Sequence, residues 1–241
     1  MFIVVGYHLN LPGFASGFAG VDIFFVISGY LITAQALDLL NAKKFSFFHF
    51  WTARLRRIAP MLIGILVTSA ALGWWLTMPG DYLRHIRQSL FAVTFSSNVP
   101  FGSQQGYFDP VAHTKPLLHT WSLSIEWQFY LVLPFILVLV WRYSPAAHRR
   151  AFVLWTLALL SLASFLGSLW MGRVQASDAF FSLGARAWEL LLGAVMAAAV
   201  QPPQSAQASP PPRHTDGRYG AHIDTLRRLA RMGGSGRRNR A

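Results

Sequence analysis

The sequence predicts an all-α fold: a polytopic transmembrane helical bundle, partial in extent, with a disordered C-terminal tail. Three observations predict it. The 241 residues are 54% hydrophobic and 15% aromatic but only 12% charged, where a soluble domain carries about 25% charge. Apolar residues gather into runs close to the ~20 residues needed to cross hydrocarbon. Charge is segregated as well: residues 1–200 hold 13 Lys/Arg and 7 Asp/Glu, whereas residues 201–241 hold 8 and 2. A water-soluble body of this length needs far more polar surface to cover itself.

Taken in order, Met1–Val5 with Leu9 and Leu11 resembles the end of a helix without its beginning. It lacks the basic n-region and cleavage site of a signal peptide, so an upstream half-helix is expected to be missing. Gly17–Leu40, Ile58–Leu76, Trp121–Trp141 and Ala151–Met171 read as spanning helices, and Gly184–Val200 as a slightly short fifth. Ser89–Phe95 is too short to span unless its flanks contribute, and reads as a short or re-entrant helix. Lys43, Lys44, Arg54, Arg56 and Arg57 form a basic loop between two apolar runs, which the positive-inside bias places in the cytoplasm. Arg142, His148, Arg149 and Arg150 belong on the same side, which requires that Asp81–Thr120 make no net crossing. From Gln201 the material changes: Pro202–Pro203, Pro210–Pro212 and a Gly/Ser/Arg-rich end cannot bury a core. The expected division is therefore a partial membrane domain, 1–200, and a Pro/Arg-rich disordered tail, 201–241. Leu226 and Leu229 among arginines leave open a short surface helix on anionic lipid. No repeat of fixed period is present.

Several function classes are excluded. With no Cys, disulfides, thiolate nucleophiles and Cys-type zinc or iron–sulfur sites fall away, and no metal site is expected. Half of the net charge of +12 lies in the tail and most of the rest between apolar runs, the pattern of membrane orientation rather than of a nucleic-acid face. No Gly-rich phosphate loop, Gly-x-Ser-x-Gly elbow, His-Glu-x-x-His or His-x4-Asp pair appears.

Ionisable groups inside apolar helices are costly, so each one asks for a reason. Asp22, near a helix start, is either a cap and dipole partner or a site carboxylate. Glu126 lies deeper in its helix with Ser122 at i−4 and Tyr130 at i+4, heading a polar stripe or making an interhelical hydrogen bond. Glu189 has Arg186 at i−3 for a local pair. His8 is either a structural membrane-edge histidine or a base, since a neutral imidazole takes a proton from a hydroxyl near pH 7. Arg54 and Arg57, one turn apart, anchor lipid head groups or clamp a phosphate.

Five stretches carry a resemblance: Gly20-Val-Asp-Ile-Phe-Phe-Val-Ile-Ser-Gly-Tyr-Leu-Ile32, Arg54-Leu-Arg-Arg-Ile-Ala-Pro60, Gly106-Tyr-Phe-Asp109, Pro116-Leu-Leu-His-Thr-Trp-Ser-Leu-Ser-Ile-Glu-Trp-Gln-Phe-Tyr130 and Arg186-Ala-Trp-Glu-Leu-Leu-Leu-Gly193. In this order they resemble the acyltransferase-3 family, bacterial transmembrane O-acyltransferases of surface polysaccharide, through most of residues 6–200. The last two resemble most the subgroup in which a periplasmic SGNH-type domain follows the membrane domain. The resemblance implies transfer of an acyl group, often acetyl, from acyl-CoA as co-substrate to a hydroxyl of cell-surface polysaccharide (lipopolysaccharide included) or lipid-linked sugar. It implies no bound cofactor, a multi-pass location in the bacterial inner membrane, and acyl-CoA, a carbohydrate acceptor and lipid as partners. His8 matches the first-helix histidine proposed as base or acyl relay. Asp22 and Ser28 match the second-helix Asp and Ser, Arg54 and Arg57 the cytoplasmic Arg pair that holds CoA phosphates, and Glu126 and Glu189 the two motif glutamates. Three departures stand out. The family Arg or Lys eleven residues before the histidine falls upstream of Met1, a frequent second Glu is Trp127, and the Pro/Arg-rich tail stands where further helices would follow. The expectation is a fragment. Rival readings are a flippase for lipid-linked sugar, with Asp22, Glu126 and Glu189 as a proton path, and a non-catalytic membrane scaffold.

Overall fold

The structure is a computed structural model that describes residues 19–103 and 117–200. His8 and the tail from residue 201, with the expectations attached to them, lie outside the described residues. Within them the chain is helical: α1 (Ala19–Asn41), α2 (Phe47–Leu76), α3 (Pro79–Val93), α4 (Asn98–Ser103), α5 (Thr120–Tyr143), a 3-10 turn (Ala146–His148), α6 (Arg149–Val174), α7 (Ala176–Phe181) and α8 (Leu183–Val200). No strand occurs among the described residues. α1, α2, α5, α6 with its leading turn, and α8 are long and apolar enough to cross a membrane. The protein is a multi-pass, all-α membrane protein.

Two boundaries differ from the sequence reading. α2 begins at Phe47, not at Ile58, so Arg54, Arg56 and Arg57 are helical rather than part of a loop. Their charge lowers the local hydropathy, but Arg54 is buried against protein and so does not end the helix. The run Ser89–Phe95 belongs to α3, which starts on Pro79, a residue preorganised for a first helical turn. α3 ends in a left-handed residue, Phe95 (φ 52°). There the amide of Ser96 reaches back to the Phe91 carbonyl (2.9 Å) and that of Phe95 to Ala92 (3.1 Å), a Schellman closure without the usual glycine. α1 closes in the same way on Lys43 (φ 54°).

Side-chain partners fix the helix directions. Asp22 meets Arg186 and Val26 lies against Gly193, so α1 and α8 run parallel. Phe25 lies edge-on to Trp121 and Ser28 meets Glu126, so α1 and α5 are parallel too. α2 is antiparallel to α5, with Phe47 stacked on Phe135 (4.7 Å) and Trp51, one turn further along α2, donating to the carbonyl of the earlier α5 residue Tyr130. α6 is antiparallel to α8: Ser164 donates to the Gly184 carbonyl, Ser161 to that of Trp188 and Arg150 to that of Ala199. Lys43, Lys44, Arg142, Arg149 and Arg150 consequently share one end. α1, α5 and α8 bury 44% of their apolar stretches and α2 and α6 only 11%, which makes the first three the inner helices. The exposed leucines, isoleucines and tryptophans of α2 and α6 face lipid, where apolar side chains need no further cover.

Between lipid-solvated helices apolar burial supplies little drive, so close backbone approach matters more. α1 and α8 touch at Gly29 and Gly193. A Cβ on Gly29 would lie 1.9 Å from the Leu190 carbonyl oxygen, and one on Gly193 1.9 Å from that of Val26. Gly29→Ala or Gly193→Ala is therefore expected to cost about 1–3 kcal/mol, the usual range for overpacking. Gly167→Ala, facing open space, is expected to be neutral or mildly stabilising. Thermal unfolding in detergent checks the three; equal behaviour would remove the close crossing.

His85 on α3 is buried with neither ring nitrogen hydrogen-bonded, its ring 3.7 Å from the position of a Cβ on Gly73 of α2. Burial holds its imidazole below the ordinary 6.5. As pH falls the unfolded chain takes the proton first, so this contribution to stability is complete above about 6.5 and is lost on acidification towards the folded value. The protection factors of α3 amides, exchange rates taken relative to the intrinsic rate at each pH, are expected to fall from about pH 7.5 to about pH 5. His85→Phe is expected to abolish that pH dependence.

Candidate active site

Two buried polar clusters flank α1. In the first, the hydroxyls of Ser28 and Tyr130 both donate to Glu126 Oε1. Ser28 comes from α1, while Glu126 and Tyr130 stand one turn apart on α5 and share a face. All three are buried. Ser122, expected on the same stripe, instead donates to the His119 carbonyl (3.2 Å); Ser28 supplies from a neighbouring helix the partner it would have been.

In the second cluster Arg186 of α8 sits between two carboxylates. Its Nη1 donates to Glu189 Oε1 (2.7 Å) and its Nη2 lies 3.1 Å from Asp22 Oδ1, a charge contact without hydrogen-bond alignment. Phe180, Trp121 and Phe25 surround the guanidinium at 4.8, 5.6 and 5.9 Å from their ring centroids, so aromatic faces complete its cage. Glu189 is 1% exposed, with Oε2 unbonded. The local Arg186–Glu189 pair read from the sequence is present, and Asp22 extends it across helices.

Arg54 and Arg57 part company. Arg54 is buried, with Nη1 on the Phe50 carbonyl (2.5 Å), Nη2 on Gln35 Oε1 of α1 (2.8 Å) and its charge over the Phe50 ring (3.3 Å). Its Nε has no partner. Arg57 is exposed and close enough to act electrostatically on both Arg54 and Glu126. Asp22, Ser28 and Gln35 thus each meet a polar partner at a different depth of α1, over roughly 20 Å at 1.5 Å per residue.

A family model for an acyltransferase domain, Acyl_transf_3, matches residues 1–210. The chain belongs to this acyltransferase-3 family. It is 35% identical over 204 residues to O-acetyltransferase OatA of Staphylococcus aureus, covering 81% of this chain and 33% of that protein. To YrhL of Bacillus subtilis, which is named for peptidoglycan O-acetylation, it is 34% identical over 197 residues, covering 80% of this chain and 31% of that one. The chain therefore spans about a third of the length of these relatives. No solved structure matches it.

Within this family member the structure gathers Ser28 with Glu126, and Asp22 with Glu189, and keeps the two pairs at separate heights of α1. Gln35 and the second partner of Arg186 were missed from sequence. Gln35 had a signal: it follows Ser28 by seven residues and so lies on the same face of α1. Removing Arg186 alone leaves Glu189 buried and unpaired, so Arg186→Met is expected to cost about 3–5 kcal/mol. Arg186→Met with Glu189→Gln is expected to recover much of that. Asp22→Asn, at a side chain 39% exposed, should cost about 1 kcal/mol or less. Unfolding of the variants in one detergent measures all three, and an additive double variant contradicts the pairing.

Proposed function

We propose that the chain is the membrane part of an O-acetyltransferase that moves an acetyl group from acetyl-CoA to a hydroxyl of a cell-wall polysaccharide across the bacterial inner membrane. The observation that carries this reading is the line of polar contacts down α1, Asp22 with Arg186, Ser28 with Glu126 and Gln35 with Arg54, in a family whose relatives are named as O-acetyltransferases. One buried ion pair is adequately explained as helix glue. Three polar contacts at successive depths fit a reaction whose donor and acceptor approach from opposite faces of a bilayer that neither crosses.

In this reading the basic end faces the cytoplasm, and Arg54 and Arg57 receive the phosphates of the donor. His8, by its match to the family's first-helix histidine, takes the proton of the acceptor hydroxyl. The hydroxyl oxygen attacks the acetyl carbonyl, the carbon–sulfur bond breaks, and the departing thiolate receives the proton from the imidazolium. Ser28, Tyr130 and Glu126 hold the middle of the route. Asp22 and Glu189 fix the guanidinium of Arg186 on the acceptor side, where it offsets negative charge on the tetrahedral intermediate.

Proteoliposomes holding the chain, with labelled acetyl-CoA on the basic-end side and peptidoglycan fragments on the other, are expected to form ester-bound acetyl. His8→Ala is expected to abolish it. Arg54→Ala with Arg57→Ala should raise KM for acetyl-CoA by about 10- to 100-fold, the equivalent of one or two lost charge-assisted hydrogen bonds. Movement of lipid-linked sugar without ester formation would convert the reading to a flippase, and neither activity would leave a scaffold.

A further inference from the structure

Pro134 lies inside α5. Having no N–H, it cannot donate to the carbonyl four residues back, and that carbonyl belongs to Tyr130, the residue whose hydroxyl meets Glu126. A backbone carbonyl without a donor is costly in lipid, and neighbouring side chains commonly fill such vacancies. Here the donor comes from another helix: the indole Nε1–H of Trp51 on α2 bonds the Tyr130 carbonyl at 3.0 Å. Trp51 is itself held between Phe47 (5.4 Å) and Phe135 (5.5 Å). Three residues on, on the same face of α2, the Arg54 guanidinium lies 5.9 Å from the Tyr130 ring. α2 therefore grips Tyr130 twice, by its carbonyl and beside its ring.

We propose that Trp51 is a positioning residue for the site, setting the rotation and height of Tyr130 so that its phenol converges with Ser28 on Glu126. This rests on the reading of the Ser28–Glu126–Tyr130 cluster as part of the active site. The proline creates the vacancy and the tryptophan fills it, so the two act as one device. A Tyr130 carbonyl without a donor leaves that turn of α5 free to bend, and the phenol that reaches Glu126 moves with it. A donor at that carbonyl, from the indole or from the helix itself, keeps the turn in place and the hydroxyl on its carboxylate.

The test is a cycle in the full chain reconstituted in lipid: Trp51→Phe, which keeps an aromatic ring but removes the donor, Pro134→Ala, which restores a helical donor to the Tyr130 carbonyl, and the two combined. Two readouts are taken, the kcat and KM of acetyl transfer and the fluorine resonance of 3-fluorotyrosine introduced at position 130. Trp51→Phe is expected to shift that resonance and to lower kcat by about 10- to 100-fold with KM for the donor unchanged, the scale of a small misplacement in a catalytic site. The double variant is expected to return both readouts towards the parent, while Pro134→Ala alone stays near it. A resonance untouched by Trp51→Phe, or not restored in the double variant, overturns the proposal whatever the activity does. A resonance that moves and returns while Glu126→Gln keeps full activity upholds the Trp51 device and overturns the catalytic reading of the cluster it serves.

Discussion

The backbone contact between α1 and α8 is the constraint on which the arrangement of charge depends. Gly29 and Gly193 let the two helices meet where a methyl group on either would overlap a carbonyl oxygen. Helix geometry then dictates the rest. Asp22 precedes Gly29 by seven residues, and Arg186 precedes Gly193 by seven, so on each helix the charged residue lies nearly above the glycine, two turns away. Two parallel helices crossing at their glycines must bring those charges together, and Asp22 and Arg186 do meet. Ser28, about 100° round from Gly29, is turned away from α8 and towards α5, where Glu126 waits. One close crossing thus sorts the polar residues of α1 between two neighbours.

Lipid as solvent explains why these charged groups draw their partners from the protein, although Glu189 Oε2 and Arg54 Nε stay without one. In water a surface carboxylate needs no protein partner, whereas inside hydrocarbon every polar group must find one within the protein. Glu126 answers with two hydroxyls, Arg186 with two carboxylates and three aromatic faces, and Arg54 with a carbonyl, an amide and a ring. Paired groups are in turn rigid ones. The same satisfaction that makes the charges tolerable holds the helices in one register, which a set of leucine contacts in lipid does not do.

What the sequence revealed follows from what is local. Spanning helices are long apolar runs, and all five runs read as spans are present within a few residues at most boundaries. The Arg186–Glu189 pair and the Glu126–Tyr130 neighbourhood were legible because both lie within one turn of a helix. The α2 start was misplaced because the charge of Arg54 lowers the apolar count, and nothing local says that Gln35, nineteen residues earlier in the chain, accepts its hydrogen bond. Ser28 as the partner of Glu126, and Asp22 as that of Arg186, depend on which helices touch. The pair of seven-residue spacings from charge to glycine held that information, but it becomes readable only when two separate segments are compared with a parallel crossing in mind. Trp51 was invisible for a similar reason: Pro134 announces a free carbonyl, and nothing nearby in sequence says who fills it.

The stretch between α2 and α5 shows the same logic applied to irregular backbone. Counting apolar residues left open whether this stretch crosses the membrane; among its described residues α3 is 15 residues long, with Arg84 and Asp81 paired at its exposed start. A chain that turns back must leave helix, and the amides and carbonyls thereby freed need donors and acceptors. α5 and the α7–α8 turn provide them. Gln128 donates to the Phe95 carbonyl (3.1 Å) and to Asn98 (2.8 Å), Asn98 donates to the Phe181 carbonyl (3.0 Å), and the Ser97 amide donates to Ser124 (3.2 Å). Thr120 closes the set through Ser97 (2.9 Å). Gln128 and Ser124 flank Glu126 on α5, so the groups that anchor the returning chain stand on the helix that carries the buried carboxylate. The turn and the site are held by interleaved residues of one helix, Ser124 and Gln128 for the turn and Glu126 and Tyr130 for the site, so a shift of α5 moves both.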